Sequence, residues 1–193
     1  MGCVLLPVET ALPMRIVGGE FSGRRFNPPA STPARPTTDV AKESLFNILE
    51  NMMDIEGIKT CDIFSGTGSI SYELASRGAE ELVLVERDTE NINFIKKTAA
   101  VLGISSKLQI VRGDAFKFMK QNTEQYDLIF ADPPYALPNI DDIPMLVFDK
   151  HMLAPNGIFV MEHSNRNNYQ QHPNFTRMKN YGTTIFSFFT QPA

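Results

Sequence analysis

The chain is predicted to be an α/β protein, a mostly parallel sheet with helices on both faces. Three observations carry this. Short apolar runs alternate with segments of helical period, the pattern left by parallel strands joined through crossover helices. Four of those runs end in or just before an acid, at Asp62, Glu86, Asp114 and Asp132. The last two runs lie either side of Tyr181-Gly182, a turn that suits an antiparallel hairpin closing the sheet.

The elements follow in order. Residues 14–27 resemble a small hairpin arm, with Gly18-Gly19 and Ser22-Gly23 as turn signals. A loop to Pro36 leads to a helix from Thr38 to about Met53, which Thr38 or Asp39 can cap. Val40, Ser44, Leu45, Ile48, Leu49 and Met52 recur there at helical spacing and form the expected buried face. A strand over 59–64 precedes a helix over 69–77 that Gly78 ends. A strand over 81–86 precedes a helix over 88–102 that Gly103 ends. A strand over 107–112, a helix near 115–122 and a strand over 126–131 complete the repeat. A helix within 140–151, a strand over 157–162 and closing strands near 173–180 and 182–190 bring the sheet to seven strands.

The strand tips carry the chemistry. Cys61-Asp62-Ile63-Phe64-Ser65-Gly66-Thr67-Gly68 is a strand end, a small-residue turn and a helix start. Gly66 and Gly68 let the backbone turn sharply and approach a ligand, because no Cβ intervenes. A dinucleotide fingerprint requires a third glycine three positions after the second, and Ser71 stands there instead. Asp62 before the turn would repel a phosphate and suits a cation, such as the amino group of S-adenosylmethionine. Glu86, at the tip of the next strand, is placed to accept ribose hydroxyls. Phe64, Arg87 and Ala115 flank these tips and join the cofactor-binding candidates. Asp132-Pro133-Pro134-Tyr135 follows the fourth run directly. The two prolines fix φ and remove two donors, so neither a central strand nor a helix continues there. Asp132 and the Pro133 carbonyl are then two acceptors under the Tyr135 ring, an arrangement suited to a flat group bearing an exocyclic amine.

Asp-Ile-Phe-Ser-Gly-Thr-Gly followed by Asp-Pro-Pro-Tyr resembles class I S-adenosylmethionine-dependent methyltransferases that modify exocyclic amino nitrogens, whose fold is Rossmann-like. Met14-Arg15-Ile16-Val17-Gly18-Gly19 and Gly23-Arg24-Arg25 narrow the resemblance. So do Arg35-Pro36-Thr37-Thr38-Asp39 and Lys42-Glu43-Ser44-Leu45-Phe46-Asn47. The chain is similar to the RsmD family of bacterial 16S ribosomal RNA guanine-N2 methyltransferases from Met14 to near Phe189. The resemblance implies S-adenosyl-L-methionine as cofactor and no metal. It makes Asp132, Pro133, Pro134 and Tyr135 the catalytic candidates and Asp114 a partner for the adenine amine, with helix capping as that residue's alternative role. It also implies 16S rRNA as partner, within a small-subunit ribonucleoprotein particle. Arg24, Arg25, Arg35 and Thr37 are the RNA-binding candidates, although Arg35 and Thr37 can equally shape the cofactor pocket. Residues 14–37 are then an RNA-binding arm, 38–193 the methyltransferase domain and 1–13 a disordered extension or the product of an upstream start codon. His163 departs from the small residue expected after Glu162.

The net charge of −4 is unevenly spread. Residues 15–42 carry a balance of +3, residues 43–162 a balance of −9, and residues 163–193 again +3. RNA affinity depends on local phosphate neutralisation, so basic ends around an acidic body remain compatible with it. Cys3 and Cys61 show neither metal-ligand spacing nor a disulfide framework. No apolar run approaches the roughly 18 residues of a membrane span. A cytoplasmic monomer is the expectation. Asp-Pro-Pro-Tyr is also found in methylases of DNA bases and protein amides, so those substrates stay open, as does a non-catalytic RNA-binding assembly factor.

Overall fold

The computed structural model describes residues 13–30 and 38–191. Its main sheet has seven strands: β3 (Lys59–Ile63), β4 (Glu81–Glu86), β5 (Leu108–Arg112), β6 (Tyr126–Ala131), β7 (Leu153–His163), β8 (Phe175–Tyr181) and β9 (Thr184–Thr190). Their spatial order is β5-β4-β3-β6-β7-β9-β8. The first five are parallel, and β9 inserts antiparallel between β7 and β8. The methyltransferase-type sheet expected from the sequence is therefore present. A separate two-stranded ribbon, β1 (Met14–Arg15) with β2 (Arg25–Phe26), forms the N-terminal arm, pairing Met14 with Phe26.

Strand alternation divides the core in two. Leu82 and Leu84 of β4, Leu128 and Phe130 of β6 and Phe186 and Phe188 of β9 point to one face. There they meet the arm, α1 (Asp39–Glu50), α2 (Ser69–Ser76) and α3 (Thr89–Leu102). Val83, Val85, Ile129, Phe159 and Phe189 point to the other face, under α4 (Ala115–Gln121) and α5 (Asp142–Asp149). Successive side chains of a strand face opposite sides, so both faces of a parallel sheet must be covered. No helix among the described residues is long and apolar enough to cross a membrane.

Three local expectations need correction. In α1 the buried residues are Ala41, Lys42, Leu45, Phe46 and Leu49, while Val40 is 68% exposed. The helix is rotated from the face predicted by its most apolar residues because Lys42 is buried against Glu73. β7 begins at Leu153, not at 157. Tyr126 pairs with Leu153 but Leu128 with Ile158, so Ala154-Pro155-Asn156-Gly157 bulges out within one strand. Turn-forming residues there mark a bulge. The closing hairpin turns on Gly182-Thr183, since Tyr181 already pairs with Thr184. Gly182 supplies the positive φ of 64°.

Candidate active site

The carboxyl ends of β3, β4, β5 and β6 open onto one crevice of about 1140 Å³. β3 lies between β4 and β6, so the chain order reverses on either side of it. Open α/β sheets bind ligands at such a reversal, where the connecting loops part in opposite directions. Asp114, Glu86, Asp62 and Asp132 all line this crevice, in that order across β5, β4, β3 and β6. Phe64, Gly66, Arg87, Ala115, Pro133, Pro134 and Tyr135 line it as well.

Each acid is held differently. Asp62 is 2% exposed and its Oδ2 accepts the Ser71 hydroxyl at 2.7 Å. Burial pushes its carboxyl up to about 7; the Ser71 bond opposes this and the nearby Glu86 charge adds to it. A carboxylate leaving water loses hydration of its charged form, hence the direction. Glu86 accepts three backbone N–H groups, from Gly66 at 2.8 Å, Arg87 at 2.9 Å and Asp88 at 2.7 Å. Its tie to Gly66 fixes the glycine turn to the tip of β4. A carboxylate has about four acceptor positions, so these three bonds leave capacity for a hydroxyl. Asp114 caps α4 through Oδ1, which accepts the Lys117 N–H at 2.8 Å. The capping role weighed against ligand binding is thus real, and the residue faces the crevice all the same.

The turn between β3 and α2 is conformationally demanding. Phe64 has φ of 65°, and Gly66 and Gly68 follow at 54° and 81°. A left-handed conformation costs a residue with a Cβ about 1–2 kcal/mol. Phe64 is compensated by packing edge-on against Phe116, at a ring separation of 6.2 Å. The two glycines have different reasons. A Cβ on Gly68 would lie 2.9 Å from the Tyr72 ring, so this position serves helix packing and is absent from the crevice wall. A Cβ on Gly66 would meet no protein atom closer than 4.0 Å, yet Gly66 lines the crevice. The space beside it opens into the crevice.

At the other end, the Tyr135 hydroxyl donates to Glu162 Oε1 at 2.9 Å. Burial and then the Glu162 charge push the phenol well above its ordinary value, so Tyr135 stays neutral. Glu162 is 3% exposed and also lines the crevice. It stands next to last in β7, an acid near a fifth strand tip. His163 beside it is buried. Its Nδ1 donates to the Ser164 carbonyl at 2.8 Å, and Nε2 then accepts from the Ser187 hydroxyl at 2.8 Å. Desolvation lowers its pKa, which keeps the ring neutral. Its role is to join β7 to β9.

Arg24 and Arg25 are exposed on the arm, outside the crevice wall. Arg24 lies over the Phe21 ring at 5.3 Å and donates to the Val101 carbonyl. Arg35 and Thr37 lie outside the described residues. Among the described residues no His, Cys, Asp and Glu cluster is placed to hold a metal ion.

Known proteins share this architecture. The profile of the family described as conserved hypothetical protein 95 matches residues 14–190. Ribosomal RNA small subunit methyltransferase D of Haemophilus influenzae is 31% identical over 178 residues, 91% of each chain. The protein of the same name from Escherichia coli is 31% identical over 149 residues, 77% of this chain and 74% of its own. Among solved structures, the E. coli protein yhhF superposes with a TM-score of 0.82 at 27% identity, covering 94% of this chain and 99% of that one. By the near-complete profile match and these relatives, the chain belongs to the conserved hypothetical protein 95 family, that of the small-subunit ribosomal RNA methyltransferases D.

Proposed function

We propose that the protein transfers a methyl group from S-adenosyl-L-methionine to the exocyclic N2 of a guanine in 16S rRNA. The observation that carries this is the row of four acids in one crevice, in the order Asp114, Glu86, Asp62, Asp132. That order matches the cofactor laid along the strand tips. Asp114 would hold the adenine amine, with Ala115 and Phe64 beside the base. Glu86 would take a ribose hydroxyl and Asp62 the ammonium of the methionine part. The open space at Gly66 and the buried carboxylate of Asp62 both fit such a ligand.

The cofactor supplies an electrophilic methyl group on a sulfonium. The guanine N2 lone pair is delocalised into the ring and is a poor nucleophile. Asp132 and the Pro133 carbonyl would accept its two hydrogens, turn the lone pair toward the donor and stabilise the charge that develops on nitrogen. As the N–C bond forms and the S–C bond of the sulfonium breaks, one amino proton must leave, and Asp132 would accept it. Tyr135, fixed through Glu162, would stack on the extruded base, worth about 1–3 kcal/mol. Geometry supplies most of the rest, because near-attack alignment is worth about 7–11 kcal/mol.

The substrate reading rests on the family and on charge. The arm carries Arg24 and Arg25, and exposed Arg177 and Lys179 lie on β8. We take the working substrate to be a small-subunit ribonucleoprotein particle, with a monomeric enzyme acting in the cytoplasm. The test is to incubate purified protein with methyl-labelled cofactor and 16S RNA or small-subunit particles, then digest to nucleosides. Labelled N2-methylguanosine is expected, and Asp132→Ala should abolish it. Label in any other nucleoside, or none, overturns the proposal.

A further inference from the structure

The N-terminal arm and the cofactor turn share a buried connection outside the row of acids. Lys42 of α1 is 1% exposed and Glu73 of α2 is 0% exposed, and they pair at 3.2 Å. Lys42 Nζ also donates to the Arg15 carbonyl in the arm and to Ser69 Oγ at 3.2 Å, and Ser69 lines the crevice. Glu73 accepts the arm's Val17 N–H at 2.7 Å and Gly18 N–H at 3.3 Å, and the Arg77 guanidinium at 2.6 Å. Ser76 extends the seat. Its hydroxyl accepts the Phe21 N–H at 2.8 Å and donates to the Gly18 carbonyl at 2.6 Å. The approach is close enough that a Cβ on Gly19 would fall 2.0 Å from the Ser76 carbonyl oxygen. Seated this way, the arm contributes Met14 and Pro28 to the crevice wall, with Met14 Sδ 3.9 Å from Thr67 Oγ1 in the cofactor turn.

We propose that the Lys42–Glu73 pair is a latch that seats the arm as a wall of the cofactor crevice, which makes both residues positioning residues for the methyl donor. Stability does not explain the pair. Taking two charges out of water is costly, and a hydrophobic pair of similar volume is often as stable or more so. What the charges add is direction. Lys42 can only donate and Glu73 can only accept, so together they receive one carbonyl and two N–H groups of the arm in one register. Apolar side chains would bury the same surface and leave the arm free to shift.

The latch rests on the reading that the cofactor occupies this crevice, and its test separates the two. The full-length double variant Lys42→Met/Glu73→Leu is compared with the parent in thermal denaturation and in calorimetric titration with S-adenosylhomocysteine, without RNA. The expected result is a folded protein, its melting temperature lowered by the arm amides and the Arg77 guanidinium left unpaired, with a Kd raised about tenfold or more. A folded double variant with the parent's Kd overturns the latch. Glu86→Ala serves as control: a parent-like Kd there overturns the crevice reading itself, and the latch with it. Should the double variant not fold, hydrogen exchange in the unaltered protein decides. Amides of residues 14–24 should exchange about tenfold more slowly once S-adenosylhomocysteine is bound, as added opening free energy slows exchange. Unchanged exchange overturns the latch.

Discussion

Asp62→Asn should move stability and cofactor affinity in opposite directions. Burial pushes the Asp62 carboxyl up to about 7, against 3.8 for the exposed group. Between those values the folded chain holds a proton that the unfolded chain has released. Stability therefore falls as pH rises from about 4 to about 7 and is level above that. A shift of roughly three units at 1.36 kcal/mol each sets the cost of the buried charge at about 4 kcal/mol, to order of magnitude. Asn has the same shape and no charge. At pH 8 it should raise the melting temperature, by on the order of 10 °C if the whole cost is relieved. Cofactor binding should behave in reverse. A ligand ammonium needs the ionised carboxylate, so binding must first expel the proton, and Kd should fall about tenfold per pH unit from 5 to 7. The α-amino group of the ligand stays protonated over that range. Asp62→Asn should abolish the slope and weaken binding at pH 8 by about 1.5–3 kcal/mol, the worth of a hydrogen bond to a charged group. Calorimetric titration with S-adenosylhomocysteine at several pH values, beside thermal melts, tests both halves. A parent Kd that is flat from pH 5 to 7, or an Asn variant melting below the parent at pH 8, refutes the reasoning.

Other outcomes follow from the same geometry. Tyr135→Ala should lower kcat/KM by the about 1–3 kcal/mol of a lost base stack. Tyr135→Phe keeps the ring but releases it from Glu162, so its loss should be smaller; equal losses would show that the hydroxyl is the working group. Gly66→Ala and Gly68→Ala should separate cleanly. Both incur the left-handed penalty of about 1–2 kcal/mol. Only Gly68→Ala meets Tyr72, so chemical denaturation should find it the less stable, whereas Gly66→Ala should lose more cofactor affinity in titration. Arg24→Glu/Arg25→Glu should weaken rRNA binding and flatten its salt dependence by about 0.7–0.9 in the log–log slope for each phosphate no longer neutralised. Cofactor Kd without RNA should hold, because neither side chain lines the crevice.

Much of the site was legible in the primary structure because its signals are local. Short continuous apolar runs bounded by turn residues identify the buried strands, and an acid at or just past the end of such a run lands at the sheet edge wherever the strand goes. Asp62, Glu86, Asp114 and Asp132 were found that way. Glu162 ends a fifth apolar run by the same rule. The face of α1 was misjudged because hydropathy ranks Val40 above Lys42. A buried ammonium is stable only with its partners, and Glu73 lies 31 residues away on another helix. The bulge in β7 misled for a similar reason. Pro155-Asn156-Gly157 is turn chemistry, and only the pairing of Tyr126 with Leu153 keeps that stretch within a strand.

The linear order of residues thus determined the alternation of strands and helices and the acids at the strand ends, since each depends on neighbours a few positions apart. Tertiary structure alone decided that β5, β4, β3 and β6 stand side by side, so that acids from four separate segments face one space. It also decided that the arm is seated by Lys42 and Glu73 and that Tyr135 is held by Glu162. The physical reason is range. Propensity and periodicity act within a turn or a strand, whereas the pairing of buried charges and the convergence of strand tips exist only once distant segments pack and exclude water.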